Sequence, residues 1–361
     1  MSTIRRLSDR ALGRALLARQ CLLERVPAAV TDTLEHVVAI QAQEPQAPYL
    51  ALWSRLEAFE PGELSELLAA RRVVRGSLMR CTVHLVLERD WRVLWPLMAP
   101  VLERNLRASP FGKALRGVDA RALVARACQH MLRAPYTRPE LGQLLAADWP
   151  SFDAVSLGYG ATLLCSVVQV PPRGLWQRSG QARWTLAETW LAQPLEPRPS
   201  LAPLVLRYLA AFGPASVMDI QAWSGLTRLA STVEALRDRL AVYSDERGRE
   251  PFDLPNAPLP DPEIPAPPRI LAPFDNVLLA HADRSRIVSA SNRVLISRDR
   301  LMRTFLVDGL VAGTWALRGV TLELAPFARL SALHVRELCA EGERLLDFMH
   351  ADAARRRVVL L

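Results

Sequence analysis

The stretch Ile40-Gln41-Ala42-Gln43-Glu44-Pro45-Gln46 places three glutamines within six residues. A carboxamide both accepts and donates hydrogen bonds, so a pair of them can hold and orient one water molecule. Two amides at i and i+2 can point into one cavity when a helix breaks between them, and Pro45 and Pro48 set such a break. The rival for Gln41 and Gln43 is structural, since glutamines at a helix end also cap turns and tie down loops. Glu44 is the only carboxylate beside the pair and is a candidate base, although Pro45 can turn it outward.

Three further segments carry reactive or charged groups. Arg75-Gly76-Ser77-Leu78-Met79-Arg80-Cys81-Thr82-Val83-His84 offers Met79, Thr82 and His84 as pocket residues and Arg75 and Arg80 as cations. A histidine between Val83 and Leu85 can equally be a satisfied structural group. Leu271-Ala272-Pro273-Phe274-Asp275-Asn276 continues to Arg284 and Arg286. There Asp275 either orients water or closes an Asx turn. Pro172-Arg173-Gly174-Leu175-Trp176, with Arg178 and Arg183, reads as a basic hairpin tip suited to phosphates. Arg55 and Arg228 complete the candidate phosphate contacts.

Other chemistries find no footing. The chain has no GxGxxG, no GxxxxGK[ST], no HExxH and no GxSxG in a strand–turn–helix setting. Its five cysteines are odd in number, far apart and unaccompanied by CxxC spacing, so no disulfide framework or zinc site is expected, and no metal or cofactor. Lys113 is the only lysine, which leaves arginine to carry nearly all of the positive charge and gives Schiff-base chemistry a single candidate. The net charge of +8 over 361 residues suits a polyanionic partner. No apolar run long enough for a membrane span and no signal-type N-terminus are evident, so a cytoplasmic protein is expected, nucleoid-associated if the polyanionic partner is a nucleic acid.

These residues need elements to hold them. Apolar spacing predicts helices over 9–23, after a Thr31 cap, and from Pro61, then a two-stranded piece over 73–86. A second unit, 113–195, reads as three helices and a hairpin, with Thr137 and Glu140 forming a capping box. Residues 196–252 repeat that order, including a helix over 227–240. Residues 253–268 form a proline-rich linker. Residues 269–361 form a small β-barrel or sheet, with Gly309 and Gly313 in tight turns and a closing helix over 330–349. Arg355, Arg356 and Arg357 read as a solvated tail. Three helices followed by a basic hairpin is the layout of a winged helix, and 1–112 is a first, similar unit.

The four segments together resemble the bacterial winged-helix DNA glycosylases of the AlkZ/YcaQ type, over nearly the whole chain. The resemblance implies a mainly α fold with a small β part: tandem winged helices plus a C-terminal β-barrel or sheet, C-shaped around a concave DNA channel. It implies hydrolysis of the N-glycosidic bond of bulky N7-alkylguanine and N3-alkyladenine in double-stranded DNA; separately, a monomer is expected. Gln41 and Gln43 would be the polar members of the family's Gln-apolar-Gln or Gln-apolar-Asp triplet. The neutral form is similar to the self-resistance type, which extends the expectation to interstrand-crosslink unhooking. A cationic alkylpurine leaves as a neutral base, so positioned water can suffice without an efficient general base. A non-catalytic winged-helix regulator is the alternative, and a small-molecule-binding protein a third reading.

Overall fold

The computed structural model describes residues 5–293, 295, 303–351 and 353–361. The fold is mixed α/β: helices hold the larger share, and most strands gather in two sheets. A six-stranded sheet runs in the order Ile40–Gln41, Val83–Leu87, Val73–Ser77, Val167–Val170, Arg183–Leu186, Tyr136–Thr137. Valine-rich runs broken by turns favour these strands, because β-branched side chains fit a pleated, buried surface. Two hairpins build the sheet, and they meet at one antiparallel pair, Arg75 opposite Gln169.

Helices Ala120–Met131, Arg138–Ala146 and Ala154–Leu164 precede the second hairpin. The Thr137–Glu140 capping box forms: Thr137 Oγ1 accepts from the Glu140 N–H and Glu140 Oε2 accepts from the Thr137 N–H. Pro61 opens the helix Pro61–Ala69. Thr31 does not cap. The helix Val30–Val37 starts two residues earlier than such a cap would place it, at the buried Val30, with Ala29 as its N-cap. The helix expected over 227–240 is split into Ala230–Glu234 and a 3-10 turn, Arg237–Arg239. Ser231, Thr232 and Val233 are weak helix formers, which shortens the run.

The second sheet runs Arg269–Ile270, Thr304–Val307, Leu310–Arg318, Thr321–Pro326, Arg357–Leu360, an open half-barrel with the helix Ala332–Met349 packed beside it. Part of the stretch expected to alternate as strands, at 294 and 296–302, lies outside the described residues. Gly309 does occupy the turn between strands, at φ +78°. Gly313 does not: it sits inside Leu310–Arg318, where a Cβ would come within 2.3 Å of the Phe305 ring. Arg355, Arg356 and Arg357 are exposed, but Arg357 also opens a parallel strand beside Thr321–Pro326.

Two apolar clusters dominate the interior. One unites Leu16 and Leu17 with Trp91, Tyr208, Phe212, Leu271 and Leu306, and the other unites Tyr49 and Leu85 with Trp184, Phe305 and Leu345. Buried ion pairs tie distant segments: Arg19 to Asp253 at 2.7 Å, Arg25 to Glu341 at 2.8 Å and Arg55 to Asp275 at 2.7 Å. The proline-rich segment is therefore pinned at its start, where Asp253 is fully buried against Arg19.

Candidate active site

Gln41 ends an edge strand and Gln43 lies in the bend just beyond it, rather than at a helix end. The preceding helix stops at Val37, and Val38, at φ +67°, turns the chain away. Ile40–Gln41 then pairs antiparallel with Val83–Leu87, Gln41 opposite His84, and the Ala42 N–H extends the ladder to the Val83 carbonyl at 2.7 Å. The Ala42 rung to Val83 and the Val83 N–H bond to Gln43 Oε1, not a broken helix, bring Gln41 and Gln43 to one cleft.

Each amide is oriented by an obligatory donor. Arg80 Nη2 donates to Gln41 Oε1 at 2.8 Å, and the Val83 N–H donates to Gln43 Oε1 at 3.2 Å. Each glutamine keeps its NH2 group and a second oxygen lone pair for a ligand. Gln41 is buried and Gln43 exposed, so they stand at the floor and the rim. Between them, the Ala42 carbonyl accepts from Arg75 Nη2 at 2.8 Å.

The cleft has a volume of about 560 Å³ and is walled by Gln41, Gln43, Arg80, Thr82, Phe274, Leu278, His281 and Arg284, together with Ala222, Leu279 and Ala282. None of these is a carboxylate. His84 stands behind Arg80: its Nε2 is 3.4 Å from Arg80 Nη2, and its Nδ1 is 2.9 Å from the Thr82 carbonyl. Burial first, and then the Arg80 charge, push the His84 pKa down to about 3, so the ring is neutral and Nδ1–H donates to Thr82. Burial draws Arg80 down to about 10. His281, on the cleft wall, is likewise pushed down to about 3 by burial and then by Arg286. Its Nε2 is 3.1 Å from the Phe212 carbonyl, and its buried Nδ1 meets no protein partner.

Several expected site residues lie elsewhere. Asp275 is not a water-orienting group. Both of its oxygens accept from Arg55, and Oδ1 also caps the Val277 N–H, so the turn-closing role wins. Arg55 is correspondingly buried and paired, with no face for a phosphate. Arg286 is buried and donates to the Pro214 carbonyl, which also removes it from any DNA surface. Arg80 is held by the Trp223 carbonyl and Gln41, which makes it a brace for the triplet. Met79 is core, and Glu44 sits 3.6 Å from Arg303, off the cleft wall.

The hairpin tip divides. Trp176 packs inward between Tyr49, at 4.9 Å, and Phe348, at 5.1 Å. Arg178 and Arg228 are exposed. Arg183 is exposed but paired with Glu140 at 3.0 Å. Arg75 is buried and, with Arg173, lines a second cleft. Sequence reading passed over His281, Phe274 and Leu278 on the first cleft, and Arg138 and Gln169 on the second. A signal for His281 existed, because it lies between Asp275 and Arg284 in a segment already singled out. Gln169, in a plain strand Val167–Val170, had none.

Among the described residues no His, Cys, Asp and Glu group can hold a metal ion, and no helix is long and apolar enough to cross a membrane. No curated protein matches the chain. Among solved structures, the DNA glycosylase AlkZ of Streptomyces sahachiroi shares the fold at a TM-score of 0.80, with 20% sequence identity over 99% of this chain and 100% of that one. A family model for AlkZ-like DNA glycosylases matches residues 34–348, a span that holds the glutamine pair, its arginine brace and the cleft walls. The chain therefore belongs to the AlkZ-like DNA glycosylase family.

Proposed function

We propose that this DNA glycosylase is monofunctional and hydrolyses the N-glycosidic bond of bulky N7-alkylguanine and N3-alkyladenine in double-stranded DNA. The observation that carries the reading is the pairing of Gln41 and Gln43 on one cleft whose walls hold no carboxylate. Excision of an ordinary base separates a base anion from a sugar cation, and enzymes meet that with acid help and a stabilising anion. Excision of a cationic alkylpurine only moves a positive charge from base to sugar. Two neutral amides that fix a water against C1′ match that lesser demand.

The cleft volume of about 560 Å³ accommodates a base with a large substituent; small-molecule sites span roughly 300–1,000 Å³. This supports a bulky natural-product adduct, and with it crosslink unhooking as a self-resistance activity. We read the units over residues 1–112 and 113–195 as two winged helices fused through their hairpins, 196–252 as a third, 253–268 as the linker and 269–361 as the closing β unit. Exposed Arg178 and Arg228 and the half-buried Arg173 and Arg284 are the phosphate contacts of a concave channel, and the enzyme acts as a monomer without a cofactor.

The test is incubation with duplex DNA carrying N7-methylguanine or a bulkier N7 adduct, followed by alkali. Strand breaks at the adduct, with none at uracil, are expected. Equal cleavage at uracil, or none at any alkylpurine, overturns the substrate assignment. Binding should weaken steeply with added salt, by a log–log slope of about −0.9 per phosphate contact.

A further inference from the structure

A second cleft, of about 350 Å³, also has Gln43 in its wall, together with Arg75, Arg138, Gln169, Arg173 and Trp184. Three arginines face it, and no carboxylate lines it. Among the described residues none of the three makes an ion pair. Arg75 is 2% exposed, and its Nε and Nη1 meet no protein acceptor, Nη2 alone being held by the Ala42 carbonyl. Arg138 uses Nε on Thr162 Oγ1 and lays its guanidinium over the Tyr159 and Trp184 rings at 4.5 and 4.9 Å, leaving both Nη groups unengaged. Arg173 holds the Gly180 carbonyl through Nη1. Gln169, paired across the ladder from Arg75, has a buried amide oxygen with no donor, so its amide can turn an N–H toward an incoming anion.

A buried guanidinium without a counter-charge is costly, and the usual remedy is a carboxylate nearby. Here the remedy is missing and a cavity stands in its place. Gly174, at φ +95°, lets the hairpin backbone close over Arg75; a Cβ there would lie 2.5 Å from Arg75 Nη1. Arg75 thus lines the cleft as a buried cation without a counter-charge, and the unengaged Nη groups of Arg138 stand beside it as donors for a phosphoryl group.

We propose that this cleft is an anion subsite for one phosphodiester of the strand that carries the reacting base, and that filling it steadies the catalytic triplet through Arg75. The strand assignment rests on the base-excision reading above. It follows from Gln43 being a wall of both clefts, which puts the bound linkage beside the nucleotide whose sugar faces Gln41. The coupling runs through the Arg75 Nη2 bond to the Ala42 carbonyl, between the two glutamines.

The variant Gln169→Glu puts a carboxylate opposite Arg75 and separates the possibilities. In phosphate-free buffer it should melt above wild type, because it supplies the missing counter-charge. Inorganic phosphate, against chloride at equal ionic strength, should raise the melting temperature of wild type and leave Gln169→Glu unmoved. On adducted duplexes carrying one neutral methylphosphonate at successive positions, wild type should lose about 10-fold in affinity at one linkage next to the adduct, as expected for a lost charge-assisted bond. Gln169→Glu should be indifferent to that linkage. Arg138→Gln, altering a side chain at the cleft edge, should blunt both responses if Gln169→Glu does not fold. Equal phosphate responses in wild type and variants overturn the subsite. A phosphate response with no distinguished linkage overturns its assignment to the DNA strand in favour of free phosphate. Retention of both signals without any base excision keeps the anion subsite and removes the catalytic reading on which the strand assignment leans.

Discussion

Arg80 Nη2 and Gln41 Oε1 lie 2.8 Å apart, and a guanidinium carries only donors, so this bond dictates which end of the Gln41 amide turns to the cleft. The neutral His84 ring backs the same nitrogen at 3.4 Å. Gln41 is thus held by a cation that itself forms part of the cleft wall.

Gln41→Ala and Gln43→Ala should each slow single-turnover excision of a cationic adduct by about 10-fold or more, the scale of a lost positioning group. Duplex affinity, measured by gel shift, should stay close to wild type. Loss of binding in step with rate would mean that the amides hold DNA rather than water.

Arg80→Gln should lower the excision rate with little effect on DNA affinity, because it frees the Gln41 amide while leaving the exposed arginines in place. Arg80→Lys should recover part of the rate, since an ammonium can reach one of the two acceptors but not fork across both. Rate and affinity measured on the same adducted duplex distinguish this from a phosphate role, in which affinity falls first.

His84 and His281 both have pKa values pushed down from 6.5 to about 3, in each case chiefly by burial. The unfolded chain therefore binds more protons than the native one between those limits, and stability rises with pH across that window. Melting temperature should climb from pH 4.5 to pH 6.5 and level off above it. His84→Gln and His281→Gln should each flatten the climb. Excision rates should show no inflection between pH 6 and 8 from either ring.

Asp275→Ala should destabilise the fold by about 3–5 kcal/mol, because it strands the buried Arg55 charge. Arg55→Met combined with Asp275→Leu should return most of that loss. Urea denaturation of the single and double variants checks the prediction, and a single variant of wild-type stability would show that the pair is not closed in solution.

Much of this was legible in the residues. The capping box at Thr137 and Glu140, the strands Val73–Ser77 and Val83–Leu87, and the closing helix Ala332–Met349 follow from local spacing alone. The glutamine pair was legible as a type and a spacing, but its element was not. Ile40–Gln41 is a two-residue strand whose existence depends on a partner more than forty positions later, and local periodicity carries no such information. Arginine roles were the least legible. Arg55 and Arg178 look alike in sequence, yet Asp275, 220 residues away, captures the first, while the second stays exposed. A cation becomes an ion-pair partner or a phosphate contact through tertiary neighbours, not through its own flanks.

The union of the two hairpins at Arg75 and Gln169 bears on how damaged DNA is accommodated. The helical units on either side share one backbone ladder, and they can swing apart only by tearing it. In the channel proposed above, such a stiff scaffold leaves bending to the duplex, whose pyrimidine–purine steps kink most cheaply. Lesions of identical chemistry should therefore be processed at different speeds according to the base steps that flank them, a preference set by the suppleness of the helix and not by any contact to a base edge.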